Sequence, residues 1–436
     1  MEVAKTPSFI ESMDTTAQSP MPKNAEAATT RTKTGTEQPV PAVRKGLPSW
    51  LLAFSLLVPV AAIAAAALGL SAQLIIPDPY VLLEQALFLG GGAAIGACPT
   101  TALLWLAFGS RPQPPSAFTR RFLATLCLAY TSVSLVVPFV VPASRGGLGP
   151  LSLALMLWVN HWKVMDICAG TAPTAVLQDR KHLFCHLAFL IEYRVRDGRP
   201  ETPDRSDWQA YALELAKTVT IFFCLTSASE LTPPAALAAS ALGAHVLHGL
   251  VVYANVWYIY CFLKLACDAN SAVICFLGYR PQVTFRDPLI ASTSPTDFWS
   301  RRWNLLVKGL FHRTVFTPLR NRRVPNWVSA LSAFVVSGAF HEYAFAPASQ
   351  GQALGHLTAF FCVQAVFCTC ELLLRRASAK VQLLRTLDAA VPTLARVLLT
   401  TALLVPFSPL FMAPLLAHGT VDQMHAVMVR VRLHSA

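Results

Sequence analysis

Residues 50–76 read WLLAFSLLVPVAAIAAAALGLSAQLII, 27 positions without a Lys, Arg, Asp or Glu. A hydrocarbon core about 30 Å thick takes roughly 20 apolar residues per helical crossing, so the stretch is long enough to span a bilayer, and no soluble core needs such a run. Outward from it the pattern repeats. Of 436 residues, 54% are hydrophobic and 13% charged, the latter about half the share usual in a soluble domain. Apolar blocks recur at 81–108, 122–143, 151–175, 209–228, 234–277, 326–346, 354–374 and 390–415. The expected fold is all-α, a polytopic transmembrane bundle of about 8–9 helices with a basic cytosolic loop. The block 234–277 contains Lys264 and Asp268 and is too long for one straight crossing. It reads as one long tilted helix or as three shorter passes.

Residues 1–48 are rich in Thr, Ala, Pro and Lys and hold no apolar block of signal-peptide length. They read as a disordered tail ahead of a transmembrane domain over 49–436. The first crossing is then expected to act as an uncleaved signal anchor, with insertion at the endoplasmic reticulum. The net charge of +12 does not call for a nucleic acid, because the basic residues gather in alternate loops, as the positive-inside rule requires. That alternation predicts a cytosolic N-terminus and a C-terminus on the far side, which Arg430 and Arg432 fit poorly. Eleven cysteines are scattered through apolar segments without a CxxC pair, a pattern that speaks against a zinc site or a disulfide framework and for small apolar packing residues.

The chemistry concentrates in residues 279–325. This loop holds nine basic residues against Asp287 and Asp297, interleaved with Phe298, Trp299, Trp303, Phe311 and Phe316. An interfacial helix on the cytosolic leaflet would account for the charge. It would not account for DFWSRRWN at 297–304, where the tryptophans stand at i, i+4 and a polar amide, Asn304, borders an apolar run. The next block, NWVSALSAFVVSGAFHEYAFA at 326–346, carries Ser337, Gly338, His341 and Glu342. Ionisable residues inside a crossing are costly and point to function, although a lone His also serves to hydrogen-bond a neighbouring helix. The small pair Ser337 and Gly338 lets another helix or a ligand approach closely.

DFWSRRWN followed, 37 positions after its Asn, by a His within SGxxHE resembles the membrane-bound O-acyltransferases, in particular their wax synthase-like branch. The resemblance is carried by residues 280–375, the motif-bearing core, and before residue 150 it is one of hydrophobic layout. It implies that Asn304 and His341 are the functional pair. The form of the motif and the long tail further resemble fungal members that acetylate hydroxyls of terpenoid or meroterpenoid products. That narrower expectation rests on resemblance alone, and long-chain wax or sterol ester synthesis is its alternative.

The pair also makes chemical sense by itself. A neutral imidazole is suited to take the proton of an alcohol attacking a thioester, which gives His341 the role of base. An amide donor aimed at the tetrahedral oxyanion suits Asn304. The co-substrate expected is acyl-CoA, most simply acetyl-CoA, with no permanently bound cofactor and no metal. Its phosphates would meet Arg301, Arg302, Lys308 and Arg313 beside Trp299 and Trp303, and the other partners would be a small hydrophobic alcohol and membrane lipid.

Other classes fit less well. A di-iron membrane oxidase needs clustered histidines, yet His182 with His186 and His245 with His248 are the only close pairs and His341 stands apart. HExxH zinc proteolysis fails because position 345 is Phe345. A transporter would show an internal repeat; Lys163, Asp166, Lys264 and Asp268 inside other apolar blocks are what speak for it.

Overall fold

The computed structural model describes residues 70–110, 112–141, 148–229, 240–349, 351 and 354–435. The expected tail and the first crossing up to residue 69 lie outside the described residues. The end of that first apolar block is not helical: Leu70–Ile75 (β1) pairs antiparallel with Arg430–Ser435 (β2), Leu70 opposite Ser435 and Ile75 opposite Arg430. The physical reason lies in the period. LSAQL at 70–74 and RVRL at 430–433 alternate apolar and polar residues, the two-residue repeat of a strand rather than the 3.6 of a helix. Arg430 and Arg432, which fit the loop-charge rule poorly, lie in this ribbon.

In chain order the main helices are α1 (Pro79–Phe108), α2 (Ala117–Ser134), α3 (Leu148–Cys168), α4 (Arg180–Ala188), α5 (Arg205–Ser229) and α6 (Ala241–Phe276). They continue with α7 (Leu305–Phe311), α8 (Asn326–Ser349), α9 (His356–Lys380), α10 (Thr393–Leu404) and α11 (Ser408–Ala417). Among the described residues, six helical stretches are long and apolar enough to cross a membrane: Pro79–Phe108, Ala117–Val140, Arg205–Ala228, Leu242–Phe276, His356–Lys380 and Thr393–Ala417. Their outward faces carry bare apolar side chains, such as Phe118 at 80% and Leu398 at 61% exposure. Water would penalise such surfaces; lipid is their solvent. The chain is therefore an all-α, polytopic integral membrane protein.

Two other expected crossings, 151–175 and 326–346, form as α3 and α8, of 21 and 24 residues. α3 is buried along most of its length, whereas α8 leaves Trp327, Leu331 and Val335 exposed along one face. Of block 234–277, residues 234–239 lie outside the described residues and Ala241–Phe276 forms one continuous helix of 36 residues, α6, about 54 Å long at 1.5 Å per residue. Small residues set the closest contacts: a Cβ on Gly96 of α1 would lie 3.0 Å from Cγ of Asn160 on α3, so glycine there lets the two backbones meet. The largest core joins α3, α6, α8, α9 and α11 through residues such as Leu151, Ile259, Phe334, Phe361 and Met412.

The charges inside the apolar blocks are paired. Nζ of Lys264 lies 2.8 Å from Asp268 and 3.2 Å from Glu214 across the α5–α6 contact. Lys163, fully buried, donates to the carbonyls of His186 and Phe189 at 2.7 Å each. Asp166, one turn on, accepts from Arg313 at 2.9 Å. Local pairing of this kind satisfies the rule that buried charges keep a partner.

Candidate active site

The segment between α6 and α8 is a folded insert rather than a single interfacial helix. Its helix α7 is bracketed by two π-helical turns, Phe298–Arg302 and His312–Phe316, a geometry that recurs at functional sites. Backbone bonds pin the insert: Leu305 N–H donates to Thr284 O at 2.8 Å, and Arg286 N–H to Arg302 O at 3.0 Å. Trp303 stacks on Phe298, with centroids 5.2 Å apart, while Phe285 meets it edge-on. The tryptophans at 299 and 303 do come together, 6.3 Å apart, but across the π turn.

Asn304 follows directly, in the left-handed region with φ 38° and ψ 61°. Asn is among the few non-glycine residues that tolerate this conformation. Its Oδ1 accepts the Val307 N–H at 3.3 Å and caps α7. An N–H can only donate, so the oxygen of the amide is spent on the helix and the Nδ2 group faces elsewhere. Asn304 is also part of a cavity wall.

His341 enters the same cavity from α8. Its Nδ1 lies 2.6 Å from the Ser337 carbonyl oxygen one turn earlier. A carbonyl only accepts, so Nδ1 carries the proton and Nε2 bears the lone pair, the tautomer a base requires. No hydrogen bond engages Nε2 among the described residues. The ring is held by aromatics from three helices: Phe340 at 4.7 Å, Phe361 at 4.5 Å and Phe411 at 5.4 Å. The cavity itself, about 170 Å3, lies between α6, the insert, α8, α9 and α11.

The expected coenzyme A residues divide. Trp299, Trp303 and Lys308 line the cavity, and Trp299 Nε1–H donates to Oε1 of Gln364 on α9 at 3.3 Å. Burial, and then the charge of Arg286, hold the Lys308 ammonium below the usual lysine value. Arg301 is exposed on the π turn. Arg302 is engaged with Asp297 at 2.7 Å and with the Arg286 carbonyl at 3.2 Å. Arg313 points away from the cavity, its guanidinium bridging Asp166 at 2.9 Å and Glu192 at 2.7 Å. Gly338 serves helix packing: a Cβ there would fall 2.8 Å from Cα of Thr358. Glu342 is a helix cap, accepting the N–H groups of Gly355 and Thr358 at 2.9 Å each. Of the histidine pairs, His186 is buried beside Tyr193 and His182 contacts Tyr279. No group of three or more His, Cys, Asp or Glu suited to a metal occurs among the described residues.

Sequence reading passed over Gln364, Ser408 and Phe411, which complete the cavity wall. Gln364 had a signal, a lone amide within the apolar run FFCVQAVF at 360–367; the others had none.

Residues 282–363, the span from the insert to the first turns of α9, match the membrane bound O-acyl transferase family. The long-chain-alcohol O-fatty-acyltransferase of Simmondsia chinensis is 34% identical over 170 residues, 36% of this chain and 46% of that protein. A probable long-chain-alcohol O-fatty-acyltransferase 3 of Arabidopsis thaliana is 31% identical over 170 residues, covering 37% and 44%. The acyl-CoA–sterol O-acyltransferase 1 of Arabidopsis thaliana is 40% identical over 97 residues, covering 20% and 27%. The chain thus spans about half the length of the first two relatives or less. Over its motif-bearing core the chain is similar to membrane-bound O-acyltransferases and to these long-chain-alcohol and sterol acyltransferases.

Proposed function

We propose that the protein is an acyl-CoA-dependent alcohol O-acyltransferase in which His341 is the general base and Asn304 the oxyanion donor. The observation that carries this reading is the fixed tautomer of His341: Nδ1–H on the Ser337 carbonyl leaves the Nε2 lone pair for a substrate in the cavity shared with Asn304. In the forward step Nε2 takes the proton of the alcohol as its oxygen bonds to the thioester carbonyl carbon. The oxyanion that forms is met by Nδ2–H of Asn304. Collapse breaks the C–S bond, the coenzyme A thiolate recovers the proton from the imidazolium, and the ester leaves. No acyl-enzyme is needed. The aromatic box around His341 keeps the site dry, which strengthens each of these contacts and suppresses hydrolysis of the thioester.

Lys308 in the cavity wall and Arg301 at the insert surface are the cations we assign to the coenzyme A phosphates, with Trp299 and Trp303 framing the acyl entrance. For the substrates, we propose transfer of acetyl from acetyl-CoA to a hydroxyl of a terpenoid or meroterpenoid, on the strength of the motif's form and the long tail, and, from the signal-anchor reading of the first apolar block, placement in the endoplasmic reticulum membrane. A second reading, esterification of a long-chain alcohol or sterol, is favoured by what the relatives' names say they act on. Incubation of purified protein with radiolabelled acetyl-CoA or palmitoyl-CoA and each alcohol class decides between them. Acetyl ester from the terpenoid alcohol supports the first, palmitoyl ester from alkanol or sterol the second, and no ester from any pair contradicts acyl transfer itself.

A further inference from the structure

Two polar atoms in the cavity wall are buried without a hydrogen-bond partner among the described residues, Nε2 of Gln364 and Oγ of Ser408. Gln364 is 0% and Ser408 6% exposed. The other unpartnered buried atoms lie outside this cavity. Their chemistry is fixed by their neighbours. The Trp299 indole is a donor only, so the Gln364 oxygen faces it at 3.3 Å and its two N–H bonds are turned away. A buried donor left unpaired bears its full desolvation cost, and native structures keep such groups where something else completes them.

Their position shows what that is. Gln364 stands three residues beyond Phe361 on α9, and Ser408 three before Phe411 on α11, roughly 4.5 Å along each helix axis. Phe361 and Phe411 are the rings that pack on His341, at 4.5 and 5.4 Å. Each orphaned group thus lines the same cavity as His341, about one turn along its helix from a ring that packs on the imidazole. A molecule whose hydroxyl reaches His341 passes its carbon frame along those rings toward the two groups.

We infer that Gln364 and Ser408 form a subsite for a second oxygen of the acceptor, so that the preferred alcohol is a hydrophobic diol or hydroxyketone rather than a simple alkanol. The inference rests on the acyl-transfer reading of the cavity. An alkanol leaves both wall groups unpaired, and sites built to bind a substrate oxygen reject analogues that lack it far more strongly than apolar pockets reject a missing methylene. The thioester carbonyl is the other oxygen that enters the cavity, and acyl-CoA kinetics separate the two sources.

The test compares a hydrophobic mono-alcohol with alcohols of the same skeleton that carry a second hydroxyl or keto oxygen at successive positions, using wild type, Gln364→Leu and Ser408→Ala. Wild type is expected to favour at least one oxygenated alcohol by about tenfold or more in kcat/KM. Each substitution is expected to cost that alcohol about tenfold more than it costs the mono-alcohol, with KM for acyl-CoA unchanged. Ser408→Ala removes one hydroxyl, so it carries the test if Gln364→Leu does not fold. Equal losses on all alcohols, or a rise in KM for acyl-CoA, would assign the groups to the fold or the thioester and overturn the inference. Wild-type ester formation with no preference for a second oxygen overturns it while leaving acyl transfer standing; no ester from any alcohol overturns both.

Discussion

Oε1 of Glu342 accepts the backbone N–H of Thr358 at 2.9 Å, which makes the acidic neighbour of His341 a cap for α9 rather than a partner of the imidazole. Adjacent residues on a helix point about 100° apart, so the two side chains serve different surfaces: His341 the cavity, Glu342 the first turn of the helix that brings Phe360, Phe361 and Gln364 to it. Helix N-termini leave four N–H groups unpaired, and the carboxylate answers two of them, Gly355 and Thr358. Glu342→Ala is expected to destabilise the protein by about 1 kcal/mol, as losses of caps do, with Glu342→Gln retaining most of that stability. Thermal unfolding of the two variants in detergent measures the difference.

Asn304 has two jobs that one substitution separates. Its Oδ1 caps α7 while Nδ2 is the proposed oxyanion donor. Asn304→Asp keeps an oxygen for the Val307 N–H and tolerates the left-handed backbone, but it offers an acceptor where a donor is required. The expected result is near-normal folding with kcat lowered about a hundredfold or more. Asn304→Ala loses the cap as well and puts a poor residue at φ 38°, so its folded yield is expected to fall too.

Arg313 provides a contrast with the cavity residues. Its guanidinium forks between Asp166 and Glu192, which are 0% and 2% exposed. Breaking a buried pair strands its partner at a cost of about 3–5 kcal/mol. Arg313→Leu is therefore expected to reduce folded protein severely, and Arg313→Lys to restore it incompletely, since an ammonium lacks the planar fork. Were Arg313 instead a phosphate ligand, stability would hold and KM for acyl-CoA would rise.

Gly338 makes a steric prediction. A Cβ at this position falls 2.8 Å from the Thr358 Cα, so Gly338→Ala forces α8 from α9 in the turn before His341. Overpacking of this kind costs about 1–3 kcal/mol, and the displaced imidazole is expected to lower kcat in the molecules that remain folded. Stopped-time ester assays normalised to folded protein read this out.

The membrane architecture was legible because lipid imposes one demand, length with few or no charges, and blocks such as 122–143, with none, and 81–108, with Glu84 alone, meet it directly. Asn304 and His341 were singled out for a related reason, that polar groups beside or within apolar runs are costly, and the fold sets both in the wall of one cavity. The ribbon of Leu70–Ile75 with Arg430–Ser435 was hidden because block length overshadowed a six-residue alternation. Arg313 was read as one of the phosphate cations; the ion pairs it makes lie 147 and 121 positions away, and a one-dimensional charge count is blind to pairs across such separations. Gly338 was ambiguous between ligand and helix until Thr358 was found against it.

The central claim is that Nε2 of His341 takes the proton of the acceptor alcohol. The most direct measurement is the rate of ester formation by His341→Ala, purified and matched to wild type in folded amount, with acyl-CoA and alcohol at saturation. Loss of a general base typically costs 10²- to 10⁴-fold, and a fall of that size with binding of acyl-CoA retained is the result predicted. Ester formation at the wild-type rate by well-folded His341→Ala would contradict it.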